Sequence, residues 1–119
     1  MPIQRGQVFF VDLDPVVGRE IGGRKARPVV VLSINDINAK PLVVTVVPGT
    51  KAADKPVNFP NVVVVDPSPG NGLRVQTAFR CEQIRAIEHS RFGFRPIGRL
   101  SPTDITSIED AVKFSLGLG

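Results

Sequence analysis

A chain of 119 residues is long enough for one domain, residues 1–119, with a core that needs no staples, and 42% hydrophobic content points to a packed fold rather than disorder. The single cysteine, Cys81, rules out an intrachain disulfide and fits a reducing cytoplasm; Met1-Pro2-Ile3-Gln4-Arg5-Gly6 lacks the apolar stretch of a secretory signal, and no run approaches the ~20 apolar residues of a membrane span. The net charge of +4 is uneven: from Ser101 onward one lysine faces three acids, a net of −2, which leaves +6 on residues 1–100. A basic body of that size attracts a polyanion such as RNA or DNA, although ordinary solvated charge explains it equally well.

In chain order, the first strand is expected at Val8–Leu13, apolar and β-branched enough for a sheet, with Asp14-Pro15 as its stop. Val16 to Arg27 reads as a glycine-rich, charged loop. Pro28–Ser33 shows no polar alternation, as expected of a strand buried on both faces. Ile34–Asn38 is turn-rich with room for one helical turn, and Leu42–Val47 is a second buried strand, ended by Pro48-Gly49. Pro56 and Pro60 make Thr50–Pro60 a long connection. Val62–Val65 is a strand, and Asp66–Gly72 a dense turn cluster. Val75–Arg80 alternates, with Val75, Thr77 and Phe79 on one face, and shorter strands are expected at Ile84–Ile87 and Pro96–Leu100. Short strands at this spacing suggest a small antiparallel barrel. The period then changes. Ser101-Pro102-Thr103-Asp104 supplies an N-cap, a proline at the first helical position and an acid at N3. Ile105, Ile108, Val112 and Leu116 form one helical stripe, Phe114 lies opposite it, and Gly117 ends the helix.

Familiar catalytic layouts are absent. His89 is the only histidine, and the chain has no CxxC, no HExxH and no carboxylate cluster at metal-ligand spacing, so neither metal nor cofactor is expected. Ser33 lacks a nucleophile-elbow pattern, and no helix signal follows Gly18–Gly23 to make it a dinucleotide loop. Any chemistry falls to arginine, hydroxyl and carboxylate groups.

Val11-Asp12-Leu13-Asp14-Pro15, Gly18-Arg19-Glu20, Gly22-Gly23 and Arg27-Pro28-Val29-Val30-Val31 together resemble the opening of the MazF/PemK toxin family. The resemblance continues through Val46-Val47-Pro48-Gly49-Thr50 and Arg80-Cys81-Glu82-Gln83-Ile84-Arg85, and closes with Gly98-Arg99-Leu100-Ser101 and Ser115-Leu116-Gly117-Leu118. It implies a mainly β fold, an SH3-like barrel of the CcdB/PemK type with a C-terminal helix. It implies a sequence-selective, metal-independent endoribonuclease toxin that acts on single-stranded RNA in the cytoplasm. It also implies a homodimer restrained by a cognate antitoxin, whose acidic segment would compete for the basic body. The family's catalytic arginine and threonine match Arg27 and Thr50, and its PemK-type Arg-Cys-Asp segment matches Arg80, Cys81 and Glu82. Arg19, Glu20, Arg24, Gln83 and Arg85 are the further RNA-binding candidates. Three departures bear on mechanism. Arg19 stands where relatives often have histidine, a loop two residues longer leaves Arg24 and Arg27 as rivals for one role, and Glu82 replaces an aspartate.

These residue types suit RNA cleavage. RNA carries its own nucleophile, the 2′-OH, so a protein need only position it, take a proton and stabilise the charge that builds on phosphorus oxygens. A guanidinium matches that charge bidentately and stays protonated, which suits Arg27 to electrostatic stabilisation and not to proton transfer. Thr50 can donate to a phosphate oxygen, and Glu82 is the group whose pKa can be tuned to accept a proton. The plainer readings are a solvated Arg27, a turn hydroxyl at Thr50, a Glu82–Arg85 surface pair and a buried, inert Cys81. Arg91, Arg95 and Arg99 either line an RNA track or keep the barrel soluble. Two other functions compete, a catalytically inactive RNA-binding barrel and a CcdB-like gyrase-binding toxin. The terminal Leu116-Gly117-Leu118-Gly119 lacks the aromatic end that the latter relies on.

Overall fold

The computed structural model describes residues 2–22, 26–40, 42–52, 59–93 and 95–119. Among the described residues seven strands, β1 (Gln7–Val11), β2 (Arg27–Val31), β3 (Val43–Lys51), β4 (Val62–Val65), β5 (Thr77–Arg80), β6 (Arg85–Glu88) and β7 (Gly98–Arg99), form a curled antiparallel sheet. Its order is β4-β5-β3-β2-β1-β7, with β6 also paired to β3. Helix α1 (Asn35–Asn38) is one turn, as Ile34–Asn38 suggested, and α2 (Pro102–Leu116) closes the chain.

β2 is buried on both faces through Val29, Val30 and Val31, as its composition requires, but in β3 the burial begins only at Val44: Val43 is exposed, and Leu42, expected in the same buried strand, is exposed and lies outside it. Val8, Val30, Val47 and Phe79 pack with Cys81 and the helix residues Ile105, Ile108, Ala111 and Val112 on one side of the sheet. Phe9, Val11, Val29, Val31, Val44 and Val46 pack on the other. Helix α2 begins as expected: the Ser101 side chain accepts from the Asp104 backbone N–H at 3.1 Å, Pro102 holds the first position, and Gly117 at φ +69° makes the left-handed exit. Its stripe needs one correction. Leu116 is 53% exposed and Ala111 is buried in its place, because the core face ends with Val112. Phe114 is exposed, as its position opposite the stripe predicted.

Pro48-Gly49 does not end the third strand. β3 runs on to Lys51, pairing through Val46–Pro48 with β2 and then through Gly49–Lys51 with β5. The proline sits where the strand changes partners, the place in a sheet where a missing N–H is tolerated. Gly49 is there because β5 passes so close: a Cβ on it would lie 2.6 Å from Thr77 Cγ2 and 3.2 Å from the Phe79 ring. β5 is also shorter than expected. It starts at Thr77, leaving Val75 outside the sheet and 46% exposed.

The two ends of the sheet are joined by backbone. Arg99 N–H donates to Gly70 O at 2.9 Å, linking β7 to the turn after β4. That turn is held by the buried Asn71, whose Oδ1 accepts from Ser68 and Leu73 N–H at 3.0 and 2.9 Å. Glycines permit the approach: a Cβ on Gly72 would collide with Ile97 O, and one on Gly98 with the Asn71 backbone.

Candidate active site

Antiparallel register is what brings Arg27 and Thr50 together across 23 positions of sequence. β2 and β3 pair Val31 with Val46, Val30 with Val47 and Val29 with Pro48. Two more steps on each strand put Arg27 level with Thr50, just as β3 leaves β2 for β5. Both side chains line the same two clefts. Among the described residues the Arg27 guanidinium makes one hydrogen bond, from Nε to Gly22 O at 3.0 Å, which fixes the side chain and leaves its two Nη groups for a ligand.

The Arg80-Cys81-Glu82-Gln83 segment reaches the same place from β5. Arg80 ends the strand, and a 3-10 turn over Cys81–Gln83 follows. That tight turn sends Cys81 into the core under α2, where its thiol is fully buried near Phe79 O and Ile108 O. Burial, with the neighbouring Glu82 charge second, pushes the thiol up to about 12. Cys81 is therefore the small buried hydrophobe of its plainer reading and no nucleophile. Glu82 turns outward to accept from Arg80 Nε and Nη2 at 3.1 and 2.8 Å. The surface pair considered from sequence, Glu82 with Arg85, does not form. Arg80 is the closer cation because the turn folds Glu82 back beside it, and Arg85 instead reaches Leu13 O at 3.4 Å. Burial pushes the Glu82 carboxyl up, but hydrogen bonds from Arg80 and Asn61 outweigh it and hold the group below its ordinary value. It is kept ionised, the form that can accept a proton, at the expense of basicity.

Gln83 grips the loop between β1 and β2. Its Oε1 accepts from Ile21 N–H at 2.7 Å and its Nε2 donates to Arg19 O at 2.9 Å, so both ends of the amide hold backbone next to Arg19. Glu20 accepts from Val17 N–H at 2.8 Å within the same loop. Arg24 lies outside the described residues.

Three adjoining clefts connect these groups. The first, about 540 Å³, is lined by Val17, Arg19, Glu20, Glu82, Gln83 and Arg85, among others. The second, about 430 Å³, shares Arg19, Glu82 and Gln83 with it and adds Arg27, Thr50, Lys51 and Arg80. The third, about 630 Å³, shares Arg27, Thr50 and Lys51 with the second and continues along Phe10, Leu73, Arg74 and Val75. Among the described lining residues, six cations (Arg19, Arg27, Lys51, Arg74, Arg80, Arg85) outnumber two acids, Glu20 and Glu82. Such a surface draws in a polyanion and can neutralise charge developing on a phosphate. No group of three potential metal ligands occurs among the described residues.

Arg19, Glu20, Arg27, Thr50, Arg80, Glu82, Gln83 and Arg85, all candidates from the sequence, line this groove. Four further members, Phe10, Lys51, Arg74 and Val75, were not foreseen; topology alone joins them to Thr50, and only Lys51, its neighbour in sequence, gave any signal. Arg91 and Arg99 do not line the groove. Arg91 Nη1 donates to Asp12 O and Asp14 O at 3.1 and 2.6 Å, and Arg99 holds Arg5 O and Gln4 Oε1 at 2.7 and 2.6 Å. Arg91 ties down backbone, and Arg99 ties down backbone at Arg5 together with the Gln4 side chain.

Residues 4–116 match the family described as "PemK-like, MazF-like toxin of type II toxin-antitoxin system". The chain is 36% identical to Endoribonuclease MazF9 of Mycobacterium tuberculosis, over 98% of each chain. It is 33% identical to Endoribonuclease EndoA of Bacillus subtilis, covering 99% of this chain and 97% of that one. A solved endoribonuclease in complex with its cognate antitoxin, from a mycobacterial species, superposes with a TM-score of 0.77 at 25% identity, over 98% of this chain and 97% of that one.

Proposed function

The chain belongs to the PemK/MazF family of endoribonuclease toxins, and on that premise we propose that it cuts single-stranded RNA in the second cleft through Arg27, Thr50 and Glu82. The observation that carries this reading is their convergence: residues from β2, β3 and the turn after β5 line one cationic cleft. In the proposed step the 2′-oxygen bonds to phosphorus and the bond from phosphorus to the 5′-oxygen breaks. The 2′-OH proton passes to the ionised Glu82 carboxylate, and the departing 5′-oxygen is protonated by water. The products carry a 2′,3′-cyclic phosphate and a 5′-OH. Arg27 Nη groups and the Thr50 hydroxyl donate to the phosphate oxygens on which charge builds. Arg80 binds phosphate and sets the state of Glu82. Arg19 and Arg85 extend the phosphate track, with Glu20 and Gln83 shaping the loop that presents it. Arg24 is assigned a phosphate contact. The reaction is taken to need no divalent metal, because fixed guanidinium groups supply the charge a metal would otherwise bring.

Sequence selectivity, a homodimeric state, a cytoplasmic setting and inhibition by an acidic antitoxin segment complete the proposal. The similarity to a toxin solved with its antitoxin and the row of cations support the last of these. No helix among the described residues is long and apolar enough to cross a membrane. The test is incubation of the full chain with a long RNA, and with DNA of the same sequence, in EDTA. RNA is expected to be cut and DNA spared. Arg27→Ala should lower turnover by roughly 10²-fold or more, and Arg27→Lys should recover little of it. Activity lost in EDTA and restored by magnesium would overturn the metal-free step.

A further inference from the structure

Phe10 poses a question that the catalytic groups leave open. On β1 its neighbours Phe9 and Val11 are buried at 3% and 1% exposure, while Phe10 points the other way and stays 45% exposed beside Pro28. It forms part of the third cleft, with Val75, another apolar side chain left about half exposed. That cleft begins where the second ends, sharing Arg27, Thr50 and Lys51 with it. A nucleotide whose phosphate lies on Arg27 and Thr50 therefore has its base, or that of its neighbour, within reach of this space.

We propose that the third cleft is a nucleobase subsite beside the cut, with a preference for keto bases, guanine or uracil, over the amino bases adenine and cytosine. The proposal rests on the endoribonuclease reading and adds to it the basis of selectivity. Two features support it. The walls are apolar and include an aromatic ring, which suits the flat face of a base. The charged side chains of the lining, Arg27, Lys51 and Arg74, are hydrogen-bond donors only, and among the described residues no carboxylate or side-chain amide accompanies them. The one hydroxyl besides Thr50, that of Thr77, is buried and already donates to Val75 O at 3.0 Å. Guanine presents O6 and N7 and uracil presents carbonyl oxygens, all acceptors. Adenine and cytosine also carry ring acceptors, but each sets an exocyclic amino donor beside them where guanine and uracil have a second acceptor, so a pair of cations is matched only by the keto bases. At about 630 Å³ the space is of the size that ligand sites have.

A random-sequence RNA library, cut by the full chain and sequenced at the new ends, tests this. The wild-type protein should show guanine or uracil enriched at one position next to the cut. Phe10→Ala and Arg74→Gln should each weaken that preference by roughly tenfold while preferences elsewhere in the site persist. Both side chains are exposed, so melting temperatures should stay within a few degrees and separate loss of recognition from loss of fold. Wild-type ends with no keto preference beside the cut, or variants that keep it in full, would overturn the subsite. Variants that keep the base preference but lose affinity for an acidic antitoxin peptide would reassign the cleft to a protein partner and overturn it too. A wild-type chain that cuts no RNA at all would instead remove the endoribonuclease reading beneath it.

Discussion

Two opposing influences act on the Glu82 carboxyl: burial pushes it up, while hydrogen bonds from Arg80 and Asn61 pull it down and prevail. A carboxylate whose folded pKa is depressed contributes stability above its unfolded value and loses that contribution as pH falls through the folded value. The same sign governs activity if Glu82 takes the 2′-OH proton. The acid limb of kcat/KM should lie below the ordinary carboxylate range. Arg80→Ala removes the strongest downward pull and leaves burial in place, so the limb should move to higher pH even as the rate falls. A pH–rate profile on a short RNA reads both, and a limb that stays put in the variant would take proton transfer away from Glu82. Cys81, one residue earlier, shows how finely the turn divides its side chains: resemblance placed Arg80, Cys81 and Glu82 together, yet the thiol faces α2 and only its neighbours face the groove.

At the level of elements, the seam between β7 and the turn after β4 depends on glycine. Gly98→Ala puts a Cβ against Asn71 backbone, and Gly72→Ala adds a φ of +70° to a contact with Ile97 O. Each should destabilise by roughly 3 kcal/mol in urea unfolding, the scale of overpacking with backbone strain. Gly93→Ala, with nothing within 4 Å, should cost less than about 1 kcal/mol. Equal effects would show that the seam does not hold the sheet closed. The strands themselves were legible in the sequence because Pro28–Ser33, Val62–Val65 and their like are unbroken apolar runs. α2 was legible through its cap, its proline and its terminal glycine. The course of β3 past Pro48-Gly49 was not, since a local breaker signal carries no information about a second sheet waiting to pair. The site followed the same rule. Arg27, Thr50 and Glu82, proposed by resemblance, line one cleft, whereas Phe10, Arg74 and Val75 gave no sign, because only the folded register sets them beside Thr50. Leu116 was misplaced because helical periodicity says which side chains share a face and not how far the neighbouring sheet extends.

For the molecule as a whole, the groove and the apolar tail of α2 bear on assembly. Phe114, Leu116 and Leu118 are each more than half exposed, and a two-fold pair is the commonest way for a small chain to cover such a surface and lengthen a shallow groove. Light scattering at micromolar concentration should return a dimer. A monomer that still cuts RNA would mean that each groove suffices alone. The six cations along the clefts should also make cleavage steeply salt-sensitive, with kcat/KM falling as ionic strength rises and Lys51→Ala reducing the slope by about one phosphate contact. Gly49 carries this reasoning into genetics. Cells made to express the chain can escape it through a change that never touches RNA: almost any side chain at Gly49 must displace Thr77 or Phe79, and β3 then carries Thr50 out of line with Arg27. Survivors of such a selection should therefore include alleles at this buried position, full-length and silent, alongside the expected losses of arginine in the groove.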